Sequence, residues 1–179
     1  MNAFTRRIFL LGGGAALKAE RKIELPDSTV FSANGSSYRL RSLLCLGKAV
    51  ALHFIFTRCQ TACPLSGALF RRAQALVQES QNKVRFLSIS VDPEYDTSQK
   101  LHQFLTKHGA RPFWHAVRMM PDDLKEFLEI VGENGSAPSV HSTQVLIFGP
   151  DGKLSKRLPD LTSPHTIANE LMRVWSKTA

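Results

Sequence analysis

Three cysteines in 179 residues are too few for a disulfide scaffold, and the odd number leaves at least one thiol unpaired. A chain of this length buries enough apolar surface to fold without staples. Long hydrophobic runs are also missing. The apolar stretch from Ile8 to Leu17 is about ten residues, half of the roughly twenty needed to span a bilayer, so membrane association is at most peripheral. Acids are the minority charge, 15 against 23 lysines and arginines, which gives a net +8. Yet there is no base-stacking aromatic motif and no dense basic run, so the excess reads as a solvated basic surface and not as a nucleic-acid face. No internal repeat, low-complexity tract or linker divides the chain, which implies a single domain over residues 20–179, expected to be a monomer.

What is present begins with Thr5-Arg6-Arg7-Ile8-Phe9-Leu10. Basic residues followed by a short apolar stretch are the order of an export signal, and the arginine pair resembles a twin-arginine signal. Residues 1–19 are therefore expected to direct export to the periplasm, although Leu17-Lys18-Ala19 offers no clean small-x-small cleavage site.

Beyond the signal, "SANGSSYRL" reads as a hairpin around Asn34-Gly35. "AVALHFIF" (49–56) is a strand covered on both faces, and "VRFLSISVD" (84–92) is a second. Between them, Pro64 starts a helix on which Leu65, Leu69, Ala73, Leu76 and Val77 form the apolar stripe, with Arg71, Arg72, Gln74 and Gln78 opposite. Thr97 caps a third-layer helix carrying Leu101, Phe104 and Leu105; "FWHAVRM" is a short strand; "PDDLKEFLEIV" is a helix opened by Pro121. A hairpin around Pro150-Asp151-Gly152 and an amphipathic helix from Ser163 close an α/β order with a central sheet.

The chemistry concentrates in "FIFTRCQTACPLSG" (54–67), which places Cys59 and Cys63 on the loop from a central strand to a helix N-terminus. Free N–H groups and partial positive charge there lower a thiol's pKa and favour both redox and metal chemistry. A structural disulfide across four residues would add little stability. Thioredoxin-type redox pairs have two intervening residues; here three (Gln60, Thr61, Ala62) widen the loop, which suits two thiolates round one soft ion with an imidazole as complement. Six histidines compete for that role. His53 reads as a core histidine, His102 and His108 as surface residues on a helix and its end. His115 lies in an apolar segment, and His165 in the last helix's first turn. His141, on a loop just before a buried strand, is the best candidate. Cys45 reads as a small buried or partly exposed thiol.

Three stretches together resemble the Sco/SenC family: Thr57-Arg58-Cys59-Gln60-Thr61-Ala62-Cys63-Pro64, "SVDPEYDT" (90–97), and Val140-His141-Ser142 followed by a strand and Pro150-Asp151-Gly152. The resemblance implies a thioredoxin-like fold, a central mixed sheet flanked by helices with an N-terminal β-hairpin extension. It also implies that Cys59, Cys63 and His141 bind copper as Cu(I) and Cu(II). The implied role is delivering copper to, or keeping reduced, the binuclear copper site of cytochrome c oxidase. Partners would be that oxidase's subunit II copper domain or another periplasmic copper protein, together with thiol reductants. Two residues depart from the family pattern: Gln60 stands where Pro is usual, and Val140 where Asp is usual. Asp92 and Asp96, hard ligands ill-suited to Cu(I), read as a turn and a helix cap.

The alternative is a thiol-disulfide oxidoreductase, or a redox or copper sensor, with Cys59 and Cys63 redox-active and no role in oxidase assembly. A peroxiredoxin-type peroxidase needs Thr three residues before its cysteine, where Phe56 and Gln60 stand. Thioredoxin-like reductases set a Pro opposite the pair, and Val140–Val145 has none.

Overall fold

A computed structural model of the chain describes residues 25–133 and 142–178. Residues 1–19, expected to direct export, and His141 lie outside the described residues. Among the described residues seven strands form one mixed sheet in the order β2-β1-β5-β4-β3-β6-β7. β3 (Ala49–Ile55), β4 (Val84–Ser90) and β5 (Trp114–Met119) are its parallel centre. The β1 (Thr29–Ser32) and β2 (Ser37–Arg39) hairpin extends the sheet from β5. The β6 (Val145–Phe148) and β7 (Leu154–Leu158) hairpin extends it from β3. Gly35 turns the first hairpin with φ +83°, a left-handed backbone that explains the Asn-Gly signal.

Every residue of β3 and β4 is buried, as their unbroken apolar runs require of strands covered on both faces. Alternation then sorts the side chains into two cores. Ala49, Ala51 and Ile55 join α2 (Ala62–Leu76), α3 (Ser98–Lys107) and α5 (Pro164–Thr178) on one face. Val50, Leu52 and Phe54 join α1 (Leu40–Leu44) and α4 (Pro121–Ile130) on the other. His53 is a core histidine, as expected, fully buried, with Nε2 2.6 Å from Ser88 Oγ and its ring stacked on Phe70 at 3.7 Å.

One expectation holds only in part and one fails, both on the α2–α3 side; of the stripe expected on α2, Ala73 and Val77 are buried. The buried face of α2 is Cys63, Ser66, Gly67, Phe70, Ala73 and Gln74, while Leu65 and Leu76 are exposed. Gln74 turns inward because both ends of its amide find partners: Nε2 donates to Gly109 O (2.8 Å) and Oε1 accepts from Arg111 N (3.0 Å). His108, read as a surface residue, is buried, its ring 4.6 Å from that of Phe104. Gly67 makes the room: a Cβ there would lie 2.5–2.7 Å from three atoms of the His108 ring.

Candidate metal centre

β3 and β4 end in register, Ile55 beside Ser90, so the loops that follow them share the carboxyl edge of the sheet. That edge, in an open α/β sheet, is where ligands gather. The two loops are tied by one carboxylate. Asp96 is fully buried and accepts from Thr57 N (3.1 Å), Thr57 Oγ1 (2.5 Å) and Ser90 Oγ (2.6 Å). Thr97 does cap α3, accepting from Lys100 N at 3.4 Å, so Asp96 is not the cap but the clamp. Asp92 is nearly buried and ion-paired with Arg58, Nε to Oδ2 at 2.7 Å. The aspartates of the second motif thus fasten Thr57 and Arg58, the two residues just before Cys59. Sequence marked these four residues as motif members; only the paired loops reveal that they bind one another.

Cys63 lies inside the first turn of α2, two residues further into the helix than the loop position expected of it, because the helix starts at Ala62 and not at Pro64. Thr61, at the N-cap, makes no side-chain capping bond; the Cys63 N–H instead points to Cys59 Sγ at 3.4 Å. The Cys59 sulfur therefore satisfies one of the orphan donors of the helix end. The two thiols are chemically unequal. Partial burial of Cys59 disfavours its thiolate, but the N–H groups of Cys63 and Thr61 and their side-chain donors outweigh it, holding the thiol below its ordinary value. Burial pushes the Cys63 thiol up to about 12, against a backbone hydrogen bond involving Phe56 and with the negative charges of Cys59 and Asp96 adding to it.

The pair opens on a groove of about 260 Å³, whose other walls include Tyr95, Lys100, Phe104 and Lys107. The Tyr95 ring is approached by the Lys100 ammonium at 3.1 Å and the Arg58 guanidinium at 5.1 Å, so the rim is basic. β6 runs antiparallel to β3, with Leu52 opposite Leu146, which brings Ser142–Gln144 in at the edge where β3 leaves. Ser142 Oγ donates to Glu133 Oε2 and Thr143 N to Asp160 Oδ1. Among the described residues no three His, Cys, Asp or Glu side chains converge as a metal site. His102 and His165 are exposed, and His115 lies near the start of β5, level with Leu87 of β4.

The SCO1/SenC family model matches residues 29–176. The chain belongs to the SCO1/SenC family. It is 30% identical over 152 residues to the SCO1 protein homolog of Bacillus subtilis (strain 168), a match covering 80% of this chain and 78% of that protein. BsSco, a member of the Sco family of cytochrome c oxidase assembly proteins with an identified disulfide switch, superposes with a TM-score of 0.75 at 25% identity, covering 87% of this chain and 95% of its own. Arabidopsis thaliana ScoI with copper bound superposes at 0.71 and 20% identity, over 85% and 97%. The fold is that of these thioredoxin-like Sco structures, an α/β architecture with a mixed sheet.

Proposed function

We propose that this chain is a copper-binding metallochaperone in which Cys59, Cys63 and His141 hold the ion. The observation that carries the reading is the thiol pair itself: a lowered thiol on the loop and a buried one in the first turn of α2, the Cys63 N–H 3.4 Å from Cys59 Sγ, at the mouth of a groove. Two sulfurs and an imidazole are soft donors, suited to Cu(I) and able to hold Cu(II). Family membership supports it, as does the copper bound in the Arabidopsis relative. His141 adjoins Ser142, which enters β6 at the same sheet edge as the cysteines. The proposed role is delivery of copper to the binuclear site of cytochrome c oxidase, or reduction of that site's cysteines, in the periplasm after export on residues 1–19. Residues 20–179 would form the single mature domain.

The test is anaerobic titration of the reduced protein with Cu(I) and Cu(II), with metal measured after desalting. One copper per chain is expected, lost in Cys59→Ser and Cys63→Ser, whereas His141→Ala weakens Cu(II) more than Cu(I). Wild-type affinity in all three variants overturns the assignment. A second reading, a metal-free thiol-disulfide oxidoreductase, draws on the inequality of the thiols, which suits an attacking Cys59 and a resolving Cys63. It requires fast reduction of an oxidised copper domain by the His141→Ala variant and no metal transfer by the parent.

A further inference from the structure

At the amino ends of the parallel strands, opposite the edge that carries the thiols, lies a second cavity of about 200 Å³. Its walls come from the segments leading into the three parallel strands: Lys48 before β3, Gln81, Asn82 and Arg85 around the start of β4, and Phe113 and His115 around the start of β5. Three of these residues are basic and none is acidic. Arg85 is nearly buried on a strand that is otherwise apolar apart from its serines. Its Nη1 donates to Ser42 O (3.0 Å) and Leu43 O (2.5 Å), the free carbonyls near the end of α1. That bond accounts for Arg85 alone, and its Nε and Nη2 donors make no hydrogen bond among the described residues. It does not account for Lys48 and His115 beside it, since the Arg85 charge disfavours the cationic form of both. Burial first and then the Arg85 charge hold Lys48 down; burial, Arg85 and Lys48 push His115 down to about 4. No carboxylate among the described residues contributes to either.

We infer that this cavity is a binding site for a phosphate oxyanion, cradled by the guanidinium of Arg85, the ammonium of Lys48, the imidazole of His115 and the amide of Asn82. A guanidinium offers paired donors matched to two oxygens of one phosphate, and an ammonium adds a point charge. At about 30 Å³ per water, the space takes several waters or one tetrahedral anion. Two sources present this chemistry, free inorganic phosphate and the headgroup of an anionic phospholipid. The site is independent of copper binding.

The test uses the intact chain. Inorganic phosphate is titrated against chloride at equal ionic strength, following the Asn82 amide and the His115 ring by NMR. A saturable response to phosphate and none to chloride is expected. Lys48→Gln and His115→Gln should each weaken it about tenfold or more, the loss of one charge-assisted hydrogen bond, with copper stoichiometry unchanged. Both side chains are only half-buried, whereas Arg85 is nearly buried, so these variants are expected to fold even where Arg85→Met does not. In the second arm, the protein is sedimented with phosphatidylglycerol or phosphatidylcholine vesicles. Binding to the former alone, displaced by phosphate and lost in Lys48→Gln, identifies the headgroup; saturable phosphate binding without vesicle binding identifies the free ion. A non-saturating phosphate response, or one unchanged in both variants, overturns the proposal.

Discussion

At the carboxyl edge of β3 and β4 the buried Asp96 carboxylate takes hydrogen bonds from Thr57 and Ser90. At the amino edge of the same strands Arg85, Lys48 and His115 crowd one cavity with no acid lining it. The first edge satisfies its charge internally and so holds a loop in place. The second leaves positive charge uncompensated, which is what a binding site for an outside anion requires. Charge that is spent within the fold gives rigidity; charge left over gives recognition.

The largest effect separating the two edges is expected from Asp96→Ala. It strands the Thr57 N–H and two hydroxyls in a buried setting, so stability should fall by about 3 kcal/mol in urea unfolding, and Cu(I) affinity should fall with the loosened loop. A loss no larger than that of an exposed alanine substitution would show that the clamp is not needed.

Next, the two edges should fail at opposite ends of the pH scale. Cys63 is raised in the folded chain, from an ordinary value near 9 to about 12, so its stabilisation is present below pH 9 and lost as pH climbs toward 12. His115 is lowered, from 6.5 to about 4, so its share is present above pH 6.5 and lost as pH falls toward 4. Each limb is worth on the order of 2 kcal/mol. Unfolding of Cys63→Ala across the alkaline range, and of His115→Gln across the acid range, should each flatten one limb and leave the other. If either variant keeps both limbs, the group named is not their source.

The smallest effect is at Lys48. Neutralising it in Lys48→Met relieves repulsion and should raise stability by about 0.5 kcal/mol in low salt, a gain erased by added phosphate. A loss of stability instead would mean that Lys48 already has a compensating partner.

Much of the scaffold could be read from residue order alone. The unbroken apolar runs of β3 and β4, the Asn34-Gly35 turn, Thr97 before α3 and Pro121 opening α4 are local signals, and each element formed where its signal stood. The thiol pair was equally visible, because spacing and a following helix are properties of a short stretch. The burial of Gln74 and His108 was not, since it depends on partners 35 and 41 positions away, Gly109 and Gly67.

Local pattern and motif therefore determined most of the elements, though not the short helix α1, together with the family resemblance and the placing of Cys59 and Cys63, because those rest on neighbours within a few residues. Tertiary structure alone decided that the two thiols are unequal. It also decided that Asp96 clamps the loop in front of them, and that three basic residues from separate segments of the chain meet in the second cavity. Burial and charge act through space, and the residues that supply them, Thr57 with Asp96 or Lys48 with Arg85 and His115, are brought together only when the parallel strands align.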